Sequence, residues 1–241
     1  IGYGYFSETS TFVDHIYNLT ISFPSTEYDQ SADNGKSFAA HVTIGEGKQV
    51  KPKTFAEDTW ETIAENTSSD VYNVGDTKQV LIGNNPYTVR IANKSTPTEC
   101  NDSNFSQTAC GFVVEFADIV ENRQMNSTST NVGGWKGSAM RTYANGDFFN
   151  NLPEDLRNVI KATKVVSGHG SDDNNAERED GNWESEDKIY LLSAHEVWED
   201  GTSNQVSTYD TAYNQTRQLD YYKNLGVDTD SYSGAIKKYN N

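Results

Sequence analysis

Two short strand-like segments joined by a tight turn predict an antiparallel sheet in this chain. Lys78 to Ile82 and Tyr87 to Ala92 carry the apolar and β-branched residues that favour strands. Between them lies Gly83-Asn84-Asn85-Pro86, and glycine and asparagine tolerate the positive φ angles of a hairpin turn. Two further apolar segments are also expected to be strands: Gly111 to Val120, which should be buried, and Lys188 to Ser193.

Helical patterns flank these strands, so the chain is predicted to belong to the α+β class. Thr59 is placed to cap a short helix that runs through Asn66. A longer helix is expected from Ser138 to about Asn150, and Pro153 with the two acids that follow it starts another. Ala212 to Leu225 predicts a last helix, which Gly226 ends.

The first fifty residues have a different character. Thr11 to Phe23 and Phe38 to Ile44 alternate apolar and polar residues as strands do. Turn residues in Gly45-Glu46-Gly47 and Lys51-Pro52-Lys53 indicate a boundary. We therefore predict a small β-module over residues 1–52, incomplete or immunoglobulin-like, followed by an α+β domain over residues 53–241.

The net charge argues against two classes of partner. The chain of 241 residues has 19 Lys and Arg against 35 Asp and Glu, a formal net charge of −16. Such a chain lacks the basic surface that nucleic-acid phosphates require, and an anionic membrane would repel it. No segment approaches the roughly 20 apolar residues of a membrane-spanning helix. We expect neither nucleic-acid binding nor a membrane span.

Cys100 and Cys110 are the only cysteines in the sequence. Two thiols without suitably placed histidines do not make a structural zinc site. A disulfide between them would close a short polar loop and would indicate an oxidising compartment; the alternative is two free thiols. Together with the acidity of the chain and its many Asn, Ser and Thr residues, the disulfide predicts an extracellular location.

A run of acidic residues between Ser171 and Asp187 is the candidate metal site. Carboxylates and asparagine carbonyls are the oxygen ligands that calcium prefers, and mutually repelling charges gather more readily around a cation. The spacing differs from the EF-hand order, so a solvated loop without metal is the alternative. The candidate calcium ligands are Asp172, Asp173, Asp180 and Glu184.

The familiar enzyme fingerprints do not occur in the sequence. His195-Glu196-Val197-Trp198-Glu199 has Glu199 where a metalloprotease helix needs its second histidine. Neither a nucleophile elbow nor a glycine-rich nucleotide motif is found. Carboxylate pairs such as Asp118 with Glu121, or Glu196 with Glu199, suit glycoside hydrolysis only at defined separations, which a sequence does not give. No catalytic residue is therefore predicted.

Aromatic residues provide the ligand-binding candidates. The chain has 14 Tyr, 10 Phe and 4 Trp, enough large rings both to build a core and to face solvent. Trp183, inside the acidic run, and Tyr209 and Tyr213, in the C-terminal third, are candidates to stack on a sugar or to anchor a protein partner. The competing interpretation places such rings in the core.

Five motifs, in order along the chain, carry a resemblance to a known family. They are Phe55-Ala56-Glu57-Asp58-Thr59-Trp60-Glu61-Thr62-Ile63, Tyr72-Asn73-Val74-Gly75-Asp76-Thr77-Lys78, Tyr87-Thr88-Val89-Arg90-Ile91-Ala92-Asn93, Trp135 with Ser138, Met140 and Arg141, and Asp187-Lys188-Ile189-Tyr190-Leu191-Leu192-Ser193 with Glu196. Over residues 54 to 241 the chain resembles an uncharacterised domain of surface and secreted proteins of Bacillota. That domain is similar in turn to the formylglycine-generating-enzyme-like branch of the C-type lectin fold.

The resemblance implies a C-type-lectin-like α+β domain over residues 53–241 that displays a binding surface. It does not imply catalytic activity. Structural roles are expected for Trp60, for Trp135, whose ring would pack between helix and sheet, and for Arg141, whose guanidinium would pair with a carboxylate.

These observations lead us to expect a non-enzymatic extracellular module of a bacterial surface or secreted protein. It would bind a glycan or a protein ligand at the cell surface. The first alternative is a structural subunit of a filament or surface layer, joined to neighbouring copies of itself by strand addition. The second alternative is a glycan-active enzyme.

Overall fold

The computed structural model describes residues 52–168 and 183–239. The chain divides between Lys51 and Pro52 into two units. The β-module expected over residues 1–52 lies outside the described residues, apart from Pro52 itself. Helices and antiparallel sheets both occur in the described part, so the predicted α+β class is confirmed.

The described chain contains six short α-helices and five strands. The helices are α1 Trp60–Glu65, α2 Ala139–Tyr143, α3 Phe149–Asn151, α4 Glu154–Val159, α5 Ala194–Val197 and α6 Asp220–Asn224. The strands are β1 Thr77–Ile82, β2 Asn85–Asn93, β3 Val113–Phe116, β4 Thr163–Ser167 and β5 Trp183–Asp187. None of the helices in the described ranges is long and apolar enough to cross a membrane.

The predicted hairpin is confirmed, because β1 and β2 pair antiparallel. β3 pairs with the other edge of β2 and completes a three-stranded antiparallel sheet of order β1-β2-β3. Gly83 occupies its turn with a φ of 61°, a value that suits glycine because it has no Cβ. The buried strand expected from Gly111 to Val120 is wrong in length and burial, because β3 has four residues and all are half-buried. Beyond β3 the chain leaves the sheet, and Ile119 N donates to Lys238 O at 2.9 Å.

The sheet is covered on both faces. One face packs against α1 and α4, with Trp60, Val89 and Leu156 in the same buried cluster. The opposite face packs against α6, where Tyr222 is buried and its hydroxyl donates to Glu115 Oε2 at 2.8 Å. The helix predicted from Thr59 to Asn66 is confirmed as α1, and its Trp60 ring lies edge-on to Phe55 at 5.9 Å between ring centroids.

The helix predicted after Ser138 is confirmed and runs to Asn151. The Ser138 hydroxyl caps it by accepting from Arg141 N at 3.0 Å. A π-helical turn, Ala144–Phe148, lies between α2 and α3. The helix predicted after Pro153 is confirmed as α4, with two acidic residues in its first turn.

Asn145, in the π-helical turn, explains why the strand expected from Lys188 to Ser193 is wrong. Its Oδ1 accepts from Lys188 N at 2.8 Å and from Ile189 N at 3.1 Å, and its Nδ2 donates to Ile189 O at 2.9 Å. A side-chain amide thus takes the hydrogen bonds that a neighbouring strand would have made. The strand in this region, β5, ends at Asp187, just before the predicted one begins.

The helix expected from Ala212 to Leu225 is also wrong in part. Its first half is a single 3₁₀ turn, Tyr213–Gln215, and only Asp220–Asn224 is α-helical. The break occurs because Leu219 N donates to Glu196 O at 3.0 Å, so the chain is extended there. The predicted glycine cap holds, since Gly226 follows α6 with a φ of 65°.

A second, two-stranded sheet was not predicted. β4 pairs antiparallel with β5, from Thr163 opposite Asp187 to Ser167 opposite Trp183. The far edge of β4 is covered by a side chain, because Val166 N donates to Ser106 Oγ at 3.1 Å.

Candidate functional site

A cleft of about 500 Å³ opens beside this second sheet. It is lined by β4, by the loop that leads into α5, and by the 3₁₀ turn Val206–Thr208 with the residues that follow it. We call it the cleft. Its walls come from segments far apart in the sequence, and only tertiary packing brings them together.

The lining of the cleft is mainly apolar. Val165, Val166 and Val206 are buried in its floor. At its rim, Tyr209 is 62% exposed and Leu191 is 53% exposed. Large apolar side chains are thus displayed at the mouth of a concave apolar surface.

Several polar groups complete the lining. Asn131, Asn204 and Gln205 are exposed on the rim. The Ser167 hydroxyl, at the end of β4, is buried and has no hydrogen-bond partner in the described part of the chain. A buried hydroxyl without a partner is costly, and a ligand group would satisfy it.

Glu196 is the buried carboxylate of the cleft. It is 2% exposed and forms a capping box with Ser193 at the start of α5. Its Oε2 accepts from Ser193 N at 2.7 Å, and its Oε1 accepts from the Thr108 hydroxyl. Burial raises the pKa of Glu196 to about 7, although the hydrogen bonds from Thr108 and Ser193 favour the charged form. The sequence signal for this arrangement was the spacing Ser193-x-x-Glu196, which is that of a capping box.

The loop that reaches Glu196 is closed by a disulfide. Cys100 and Cys110 are bonded, which confirms the predicted pairing. The loop between them makes three hydrogen bonds to β4, to Glu196 and to Tyr190. Ser106 binds β4, Thr108 Oγ1 binds Glu196, and Thr108 O accepts from the Tyr190 hydroxyl at 3.3 Å.

The described charges of the cleft are acidic. The two carboxylate side chains in its lining are those of Glu196 and Asp210. Thr229, also in the lining, stands between Asp228 and Asp230 in the sequence. Hydrogen bonds from Thr202 and Ser203 lower the pKa of Asp230, which favours its charged form. No Lys or Arg occurs in the sequence from Leu191 to Thr216.

Of the three predicted ligand-binding aromatics, Tyr209 is the one that lines the cleft. Tyr213 stacks on His195 instead, with 3.6 Å between ring centroids, and its hydroxyl donates to Glu199 Oε1. Trp183 is half-buried at the start of β5, opposite Ser167. The prediction did not include Leu191 and Val206, because nothing in their local sequence distinguishes them from core residues.

His195 belongs to a hydrogen-bonded pair of side chains with Glu199. Its Nε2 lies 3.4 Å from the Glu199 carboxylate and its Nδ1 lies 2.7 Å from Tyr213 O. Within residues 52–168 and 183–239 no group of three or more His, Cys, Asp or Glu side chains is arranged to hold a metal ion.

The candidate calcium ligands are only partly described. Asp172, Asp173 and Asp180 lie outside the described residues. Glu184, on β5, has its Oε1 2.8 Å from Lys164 Nζ on the paired strand.

Trp135 and Arg141 meet at one buried carboxylate, that of Asp187. Trp135 Nε1 donates to Asp187 Oδ2 at 2.9 Å, and Arg141 Nε donates to Oδ1 at 2.7 Å. Asp187 is 1% exposed and ends β5, so this network holds the helix of residues 139–151 against the second sheet.

Comparison with protein families gives a match over the C-terminal part of the chain. The model of a domain of unknown function, DUF6273, matches residues 112–239, a little more than half of the chain. The matched range begins later than residue 54, where the motif resemblance starts. The chain has no significant match among curated proteins or among solved structures. The chain therefore belongs to the DUF6273 family of domains.

Proposed function

We propose that this chain is a ligand-binding module of a bacterial surface or secreted protein, and that the cleft is its binding site. The observation that carries the proposal is the exposure of Tyr209 and Leu191 beside the apolar floor of the cleft. Concave apolar surfaces with a few polar groups are the usual form of ligand sites, and exposed apolar patches beside them mark recognition.

The extracellular part of the proposal is supported by the disulfide and by the acidity of the chain. A disulfide persists in oxidising compartments and is rare in reducing ones. The origin in Bacillota and the C-type-lectin-like relation belong to the same proposal and are supported by the five sequence motifs.

We propose binding rather than catalysis because the buried carboxylate of the cleft is engaged in the fold. Glu196 accepts hydrogen bonds on both oxygens, from Thr108 and from Ser193 N. A general acid or base needs a free oxygen within reach of the substrate. The strand-addition alternative depends on strands expected within the N-terminal β-module, and residues 1–51 are not among the described residues.

Replacement of Tyr209 tests the proposal. The labelled chain, with its disulfide intact, would be applied to an array of glycans and an array of peptides. We expect Tyr209→Ser to weaken binding of any ligand of the wild-type chain about tenfold, as for a central aromatic contact.

Tyr232→Ser is the matched control, because Tyr232 is 56% exposed and does not line the cleft. Equal binding by Tyr209→Ser and wild type would show that the cleft is not the site. Release of a cleaved product from a bound glycan would indicate the enzyme alternative.

A further inference from the structure

We propose that the cleft receives an extended peptide that carries apolar side chains flanked by lysine or arginine. This inference rests on the ligand-binding function proposed above and specifies the class of ligand. It follows from the nature of the lining, from its polar groups and from the charges around it.

The apolar part of the lining is mainly aliphatic. Val165, Val166, Leu191 and Val206 provide branched aliphatic surface, and Tyr209 is the single exposed ring at the rim. Sugar hydroxyls placed over the buried valines of the floor would lose hydration next to side chains that offer no hydrogen bonds, which is unfavourable. The aliphatic side chains of a peptide would be buried there at no such cost.

The polar groups of the cleft suit a peptide main chain. The buried Ser167 hydroxyl is unpaired in the described part of the chain, and Ser167 lines the cleft. Asn131 and Gln205 are exposed on the rim, and their amides offer both donors and acceptors. An extended segment presents alternating N–H and C=O groups that such side chains pair with.

The charge around the cleft selects the flanking residues of the peptide. Asp210 lies in the lining, and Asp228 and Asp230 flank the lining residue Thr229. The described lining contains no Lys, Arg or His. An acidic rim attracts a cationic partner and repels an anionic one, so basic residues beside the apolar anchors are favoured.

Three fluorescein-labelled heptapeptides test the inference by fluorescence anisotropy against the full chain with its disulfide intact. The first alternates Lys and Leu, the second Glu and Leu, and the third Lys and Ser. We expect the Lys/Leu peptide to bind at least about tenfold more tightly than the other two, because only it satisfies both the apolar lining and the acidic rim. Tyr209→Ser and Leu191→Ser should each weaken that binding about tenfold, while Tyr232→Ser should leave it unchanged.

The outcomes separate this inference from the function it rests on. The peptide assignment would be overturned if the Glu/Leu or the Lys/Ser peptide bound as tightly as the Lys/Leu peptide. It would also be overturned if Tyr209→Ser and Leu191→Ser both bound the Lys/Leu peptide as tightly as the wild-type chain. Glycan binding that depends on Tyr209, without peptide binding, would overturn the peptide assignment and leave the proposed function in place. Absence of both kinds of binding would overturn both.

Discussion

Glu196 joins two parts of the chain that are far apart in the sequence. Its carboxylate accepts from Thr108 in the disulfide loop and from Ser193 at the start of α5. Burial raises its pKa from 4.5 to about 7. Between these two values the folded chain holds a proton that the unfolded chain has released, so folding stability falls as the pH rises through this window.

We predict that Glu196→Gln removes this part of the pH dependence. In the wild type, the free energy of unfolding should fall by roughly 3 kcal/mol from pH 4.5 to pH 8 on account of this group, since one pKa unit corresponds to about 1.4 kcal/mol. Glutamine keeps an acceptor for Ser193 N and carries no titratable proton. Denaturant unfolding at several pH values measures the difference between the two chains.

Glu186→Gln is the control for this experiment, because Glu186 is exposed on β5. It should follow the wild-type profile. Identical profiles for wild type and Glu196→Gln would mean that the carboxyl titrates alike in the folded and unfolded chains.

At the scale of elements, the Asn145 side chain makes the hydrogen bonds that a neighbouring strand would otherwise make with Lys188 and Ile189. Asn145 lies in the π-helical turn and holds Lys188 and Ile189 through three hydrogen bonds. This contact fixes the start of the loop that leads to Leu191 and to the cleft. π-Helical turns often lie near functional parts of a protein, where they redirect side chains.

We predict that Asn145→Ala loosens this loop. The amide hydrogens of Lys188 and Ile189 should exchange with solvent faster, and the free energy of unfolding should fall by about 2 kcal/mol as three hydrogen bonds are lost. Hydrogen exchange read by mass spectrometry tests the local effect.

Asn150→Ala, in α3 of the same helical stretch, is the matched control because Asn150 is exposed. Equal exchange in Asn145→Ala and wild type would show that other contacts hold the loop.

The sequence predicted those elements whose signals are local. Thr59 and Ser138 begin helices by capping them with their own side chains. Gly226 ends α6 because it tolerates a positive φ, and the hairpin follows from its turn residues. The strand that failed to form depends on Asn145, which is 43 residues from Lys188 and 44 from Ile189. The broken last helix depends on the Glu196 carbonyl, which lies in a different element from Leu219. No local pattern contains such contacts.

The candidate site was predictable only in part for the same reason. Tyr209 was predictable because an aromatic ring in a polar stretch of sequence can stack on a ligand, and it lies in the cleft. Its neighbours Leu191 and Val206 come from separate segments of the chain. Their proximity is a property of tertiary packing, and β4, which supplies the floor, had not been predicted at all.

At the scale of the whole molecule, the disulfide loop connects β4 with α5. Ser106 binds β4, and Thr108 binds Glu196 of α5. The bond between Cys100 and Cys110 limits the freedom of this loop when the chain is unfolded.

We predict that the double variant Cys100→Ser with Cys110→Ser lowers the free energy of unfolding by about 3 kcal/mol, because a loop of this length loses its closure. Ser103→Ala, an exposed change in the same loop, is the control and should have little effect. Urea unfolding of the three chains measures both values. A double variant as stable as the wild type would show that the hydrogen bonds of Ser106 and Thr108 order the loop without the covalent link.

The range matched by the family model begins at Phe112, two residues after Cys110. A gene fragment cut to that range would retain β3 without β2, Glu196 without Thr108, and Leu156 without Trp60. The buried clusters of the described residues thus extend upstream of the family match, and an expression trial that starts at Pro52 retains every residue of these clusters.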